Sequence, residues 1–303
     1  MRIVSLLPSA TEIVCAVADP EDVVGISHEC DFPPAIRDRP VLTRSRISPI
    51  GSSLAIDGDV RAALQEALSI YTVDAERLGA LAPDVIVTQD LCEICAVSLD
   101  DVRAAVARLA SRRSIDIVSL QPTRLDDVLD DVSRVARALG RAERGVEVRA
   151  ELEARFDAIR RRAVALDARP TVVSVEWIEP LMLGGTWMPE LIERAGGVPL
   201  GVEAGALAPT VDADQVAALD PDVVVVKPCG FTLARALEER SILEDAVIRR
   251  LPGARVYVTD GHSYFNRPGP RLVESLEIMA ACVHPRAFDD FARKHAAEIE
   301  RLA

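Results

Sequence analysis

Aromatic residues are scarce: Phe, Trp and Tyr make up 4% of 303 residues, with two Trp and three Tyr. Cores must then be built from Val, Leu, Ile and Ala, and any gathering of rings calls for a reason beyond burial. Lysine is nearly missing too, since Lys227 and Lys294 are the only two. Basic charge is outweighed, with 35 Lys+Arg against 48 Asp+Glu and a net charge of −13. Nucleic acid requires a basic face and so does an anionic membrane surface, so the composition argues against both partners. No window reaches the roughly 18 apolar residues of a membrane span, which argues against insertion. The chain also lacks a Gly-x-x-x-x-Gly-Lys loop, a Gly-x-Gly-x-x-Gly turn and a Gly-x-Ser-x-Gly elbow. Nothing local therefore marks a nucleotide site or an acyl-transfer nucleophile, which leaves catalysis open and less expected than binding, with a cytoplasmic metalloprotein or enzyme as the alternative.

What is present is globular: 49% hydrophobic and 27% charged residues, in a chain long enough for two domains. Met1 and Arg2 run straight into Ile3–Leu7, which reads as a buried strand and not as a secretory leader. A cytoplasmic location is the expectation, or a periplasmic or lipid-anchored one if the N-terminus has been trimmed. In a reducing compartment Cys15, Cys30, Cys92, Cys95, Cys229 and Cys282 are thiols.

Strands and helices alternate. Strands are expected at Arg2–Leu7, Val23–Ser27, Val41–Leu42, Val85–Thr88 and Ile115–Leu120, with helices at Asp59–Ser69 and Leu99–Ala110. Ser9 is the expected N-cap of the first helix, with Glu12 completing a capping box. From Leu125 to about Leu166, apolar residues at helical spacing predict one long helix linking two lobes, with a break near Gly140 and Gly145 as the alternative. The same grammar then repeats, with strands at Thr171–Val175, Leu181–Leu183, Val223–Val226 and Val256–Thr259. Helices are expected at Met188–Ala195, Asp212–Leu219, Leu233–Arg249 and Pro270–Cys282, with an amphipathic helix from Pro285. Leu81-Ala-Pro-Asp-Val-Ile-Val-Thr matches Leu219-Asp-Pro-Asp-Val-Val-Val-Val, and Arg2-Ile-Val-Ser-Leu resembles Thr171-Val-Val-Ser-Val. The expectation is an α/β protein of two Rossmann-like lobes with mostly parallel sheets: residues 1–123, a linking helix at 124–167, and residues 168–303.

Ligands of open parallel sheets bind beyond the carboxyl ends of the strands. Six of the eleven aromatics fall in the loops placed there: Phe32, Trp177, Trp187, Phe231, Tyr264 and Phe265. Their concentration suggests a wide, largely apolar pocket, and Arg267 is placed to fix a carboxylate, amide or phosphate on its ligand. Cys92-Glu-Ile-Cys95 offers two sulfurs to one tetrahedral ion, and His28, Cys30 or Cys229 in other loops could complete a shell of zinc or an iron–sulfur cluster. A redox dithiol and inert buried thiols stand beside that reading. Cys15 and Cys282, on apolar helix faces, read as core.

Several segments in order resemble the helix-linked, class III substrate-binding proteins of cobalamin and iron-chelate ABC importers. They are Arg2-Ile-Val-Ser-Leu-Leu-Pro-Ser-Ala-Thr-Glu, Val24-Gly-Ile-Ser, the two Pro-Asp strands, and Arg267-Pro-Gly-Pro-Arg. The His-x-Cys, Cys-x-x-Cys and Pro-Cys-Gly loops are similar to a cytoplasmic-type cobalamin-binding subgroup. The resemblance implies two lobes, a rigid connecting helix, and a small metal chelate held between the lobes. The chelate would be cobalamin or another metal tetrapyrrole, with an ABC permease as partner if the protein is exported.

Overall fold

The computed structural model describes residues 1–48, 50–65, 71–89, 99–109 and 115–303. The chain forms two compact units. The first comprises Met1–Gly51, Ala55–Pro122 and Asp126–Glu151; the second comprises Ser52–Leu54, Thr123–Leu125 and Leu152–Ala303. Among the described residues no helix is long and apolar enough to cross a membrane.

The elements of the first unit are β1 (Ile3–Ser5), α1 (Pro8–Val17), β2 (Val23–Ile26), β3 (Thr43–Ser45), α2 (Ser53–Gln65), β4 (Tyr71–Val73), α3 (Ala75–Leu81), β5 (Val85–Gln89), α4 (Leu99–Leu109), β6 (Asp116–Leu120) and α5 (Leu125–Ala138); α6 (Ala142–Val164) runs on into the second. Four parallel strands pair in the order β2-β1-β5-β6, and β3 pairs with β4 as a separate antiparallel ribbon. Val4, Leu6, Leu42, Leu78, Ile86 and Val102 close a core cluster against this sheet.

The second unit contains β7 (Thr171–Trp177), β8 (Met182–Leu183), α7 (Met188–Arg194), β9 (Val198–Pro199), α8 (Ala213–Ala218), β10 (Val223–Val226), α9 (Leu233–Leu237), α10 (Arg240–Leu243), β11 (Arg255–Thr259), α11 (Leu272–Val283), α12 (Asp289–Lys294) and β12 (Ile299–Arg301). Strands β9, β7, β10 and β11 are parallel neighbours, with β8 and β12 antiparallel at the margins. All four valines of β10 are fully buried, as befits a central parallel strand covered on both faces.

The matched Pro-Asp segments build the same joint twice. Ala82 and Asp220, each before the proline, take left-handed φ values of 44° and 45° as they end α3 and continue past α8. Asp84 Oδ2 then accepts from the backbone N–H of Arg2 at 2.9 Å, and Asp222 Oδ2 from that of Thr171 at 2.7 Å. In both units this bond ties the start of the first parallel strand to the start of its neighbour.

Several local expectations change. Pro8, not a residue capped by Ser9, occupies the first turn of α1; the N-cap is Leu7, with no side-chain bond. Proline suits that position because its fixed φ is helical and its missing N–H would have been unpaired anyway. The predicted long helix is two, α5 and α6, broken where Gly140 adopts φ 66°. The two lie close, since a Cβ on Gly145 would fall 2.4 Å from that of Ala136, and Arg149 pairs with Asp130. Val148, Leu152, Phe156, Ile159 and Ala163 form the buried stripe of α6. Val41 makes a single bridge to Ile26, and the strand proper starts at Thr43. The Leu233–Arg249 helix is split into α9, α10 and a wide turn at Glu244–Ile248. The tail is the short α12 followed by β12, not one amphipathic helix; β12 forms because the edge of β11 offers it a backbone partner.

Candidate functional site

Four valines carry β10 to its carboxyl end, and the next residue is Lys227, which is fully buried. A buried ammonium must be paired and hydrogen-bonded to be tolerated. Its Nζ donates to Glu176 Oε2 at 2.8 Å, on β7, and to Asn266 Oδ1 at 2.9 Å, in the loop after β11. The Asn266 amide nitrogen donates in turn to the carbonyls of Lys227 (3.1 Å) and Gly261 (2.9 Å). Gly261 is required there, because a Cβ would lie 2.1 Å from the Pro228 carbonyl oxygen. One ammonium thus fastens three strand ends together.

Beside this joint Trp177 and Phe231 pack with centroids 5.1 Å apart at 55°, and the Arg235 guanidinium stands 4.2 Å from the Phe231 centroid. Phe231 is buried, whereas Trp177 keeps part of its surface open. The Trp177 indole N–H is shared between the carbonyls of Ser53 (3.2 Å) and Glu179 (3.1 Å). Arg235 also donates to Glu239 at 2.6 Å, and the same Glu239 oxygen accepts from the Ser53 N–H at 2.7 Å. The ring is therefore held by its edge with its surface left partly free.

Four residues expected at the ligand surface are buried instead. Trp187 is 6% exposed, Phe231 5%, Phe265 0% and Arg267 6%. Trp187 donates to the Phe265 carbonyl at 2.8 Å, and Phe265, at φ 58°, donates its N–H to Ser275 Oγ at 2.8 Å. Arg267 lies 3.0 Å from His262 Nε2. These contacts shape the loop from the inside, because a ring or guanidinium enclosed by protein presents no face to a solute. Tyr264 is half-buried, edge-on to His295 at 6.0 Å, and burial followed by the Glu298 carboxylate raises its phenol pKa. Cys229 is half-buried and its N–H donates to the Glu176 carbonyl at 3.0 Å.

In the first unit the strand ends carry small polar groups. Thr11 Oγ1 donates to Ser5 Oγ at 2.8 Å and lies 3.0 Å from Cys30 Sγ, all buried. Thr43 Oγ1 donates to Ser27 Oγ at 2.9 Å, lies 2.7 Å from His28 Nδ1 and accepts from the His28 backbone N–H at 3.0 Å. Burial lowers the His28 imidazole pKa, and Glu29, 3.4 Å from Nε2, partly opposes it. A cavity of about 590 Å³ opens here, lined by His28, Leu42, Thr43, Arg44, Asp74 and Arg77 among others. Phe32, also in this unit, is exposed at 38%.

Cys92 and Cys95 lie outside the described residues. Among the described residues no three His, Cys, Asp or Glu side chains are gathered as a metal ion would require. Cys30 and His28 already engage hydroxyl groups, so the zinc or iron–sulfur reading gains no support. Glu176, Lys227 and Asn266 went unmarked by sequence patterns. The one signal available was the rarity of lysine, with Lys227 directly after four valines.

A family model described as periplasmic binding protein matches residues 3–255. A cobalamin-binding protein of Halobacterium salinarum is 23% identical over 289 residues, covering 93% of this chain and 69% of its own. Among solved structures, a periplasmic haem-binding protein from Pseudomonas aeruginosa superposes with a TM-score of 0.68 at 18% identity, covering 100% of this chain and 95% of its own. The periplasmic vitamin B12-binding protein of Vibrio cholerae gives 0.64 at 18% identity, covering 96% and 98%. These likenesses agree with the two-lobed α/β architecture. They also overturn the cytoplasmic expectation: the matched family and both solved relatives are described as periplasmic, which points to a location outside the cytoplasm.

Proposed function

We propose that this chain, which belongs to the periplasmic binding protein family, is the substrate-binding component of an importer for a corrinoid such as cobalamin. The observation that carries the reading is the partly open Trp177 ring at the carboxyl end of β7, backed by the buried Phe231 and by Arg235. In a chain with so few rings, an indole fixed by its edge and partly open on its surface is a prepared platform for a flat, apolar macrocycle. Both of its hydrogen-bond acceptors are backbone carbonyls, so little side-chain freedom is lost when a ligand settles on it. Tyr264 is another partly open ring of the same unit and is the next contact expected. The cobalamin- and vitamin B12-binding relatives favour a corrinoid, and the resemblance to binding proteins of ABC importers favours a membrane permease as partner.

Calorimetry and visible spectroscopy with cyanocobalamin, hydroxocobalamin and haemin test the proposal. The expected result is saturable binding of a corrinoid with a Kd near or below about 1 μM, equivalent to about −8 kcal/mol. Haemin binding with no response to either corrinoid would move the ligand class to porphyrins. Absence of heat and of any band shift with all three would overturn the proposal.

A further inference from the structure

We infer that Glu176 is a specificity-determining group that selects ligands bearing carboxamide side chains over ligands bearing carboxylates. The inference rests on the tetrapyrrole reading above and separates its two branches, because the corrin rim carries carboxamides and the haem rim carries propionates.

The argument begins with the two oxygens of one carboxylate. Oε2 of Glu176 is held by Lys227 at 2.8 Å. Oε1 takes no hydrogen bond from any described residue. The Glu176 side chain keeps 28% of its surface, while that of Lys227 keeps 1%. The lysine stem runs inside the fold, where a Cβ on Gly184 would come within 3.2 Å of its Cε. The positive charge is therefore internal. It fixes the glutamate rotamer without presenting an ammonium to a solute, and what reaches the open side is an acceptor. An ionised carboxylate accepts and cannot donate.

The neighbouring donors are already used. Both Asn266 amide bonds go to the carbonyls of Lys227 and Gly261. Arg235 is engaged by Glu239, Glu238 and the Phe231 ring. Arg267 is buried and faces His262. A ligand carboxylate reaching the open side of Glu176 would meet like charge, and the donors just named are engaged elsewhere. A ligand carboxamide N–H would meet a pre-positioned, charge-assisted acceptor. Discrimination of this kind comes from the repulsive element as much as from the attractive one.

The test compares dicyanocobinamide, whose corrin rim carries carboxamides, with dicyanocobyrinic acid, in which the rim groups are free carboxylates. Each is titrated into the wild type, Glu176→Gln, and the double variant Glu176→Gln/Lys227→Met, with thermal melts run in parallel. The double variant removes both charges, so it stays folded if the single one does not. The wild type is expected to favour the carboxamide corrin by at least about 10-fold, the size of one charged hydrogen bond. Either folded variant should lower that ratio by about 10-fold, chiefly by tightening the carboxylate corrin, since the glutamine amide can donate. An unchanged ratio in the folded variants overturns this inference and leaves corrinoid binding standing. Failure of both corrins to bind the wild type overturns the corrinoid reading and this inference with it.

Discussion

The carboxyl ends of the two sheets differ as much as their amino ends agree. At the amino ends both units use the same Pro-Asp joint, with matching left-handed residues and matching aspartate bonds. At the carboxyl ends the first unit gathers hydroxyls, a thiol and an imidazole around Thr11 and Thr43. The second gathers rings beside an ion pair whose lysine is buried and whose glutamate is partly open. The scaffold repeats at the amino ends of the sheets and diverges at their carboxyl ends.

The largest test of the contrast is Lys227→Ala. It leaves Glu176 and Asn266 without their shared donor, and a loss of about 3 kcal/mol is expected in denaturant unfolding, in line with breaking one side of a buried ion pair. Thr43→Val in the first unit removes neutral bonds only and should cost about 1 kcal/mol. Equal losses would erase the distinction. Next in size is Trp177→Ala, expected to weaken cyanocobalamin binding by about 30-fold, as a central aromatic anchor does. Thr43→Val should alter that affinity less than about 3-fold, a change below that of one neutral hydrogen bond. Calorimetry of the two variants side by side reads the difference.

Two buried carboxylates sharpen the comparison through pH. Burial alone would raise the pKa of Glu277 in the second unit, but bonds from His295 (2.7 Å) and Lys294 (2.5 Å) outweigh it and hold it at about 2, below the ordinary 4.5. Its contribution is present above pH 4.5 and is lost as pH falls toward about 2, so the penalty of Glu277→Gln should shrink over that interval in acid melts. Asp131 in the first unit goes the other way: burial pushes it up to about 6 from 3.8, against the pull of Arg134. A raised carboxyl pKa favours the protonated fold, so stability is fullest below pH 3.8 and declines as pH rises through about 6. Asp131→Asn should therefore raise the Tm above pH 6, with the gain fading in acid; a constant offset at all pH values would contradict it.

The sequence carried the architecture because architecture lives in local signals. Helix ends, Pro-Asp turns and runs of Val at β10 can each be read over a few residues. The ring-bearing loops were legible for the same reason, since they follow strands. What the pattern could not rank was depth. Trp177 and Trp187 look alike in sequence, yet one is partly open and the other is sealed against the Phe265 carbonyl. The joint of Lys227 with Glu176 and Asn266 spans separations of 51 and 39 residues, so only strand register brings it together. His28 and Cys30 suggested metal by their type, while Thr43 and Thr11, which answer them, are too common to draw notice. Ser9 lost the cap to Leu7 because Pro8, with its fixed φ, takes the first helical position and so sets the helix start one residue earlier.

The final strand bears on how the protein can be handled. Strand β12 lies antiparallel along β11, and the backbone of Val256 exchanges bonds with Leu302 (2.8 Å) and Ala303 (3.2 Å). It occupies a row of amides and carbonyls that would otherwise be free to recruit a strand from a second molecule. Trimming the chain before Ile299 would convert that margin into a template for stacking, so truncated preparations should self-associate while those that keep the strand stay dispersed.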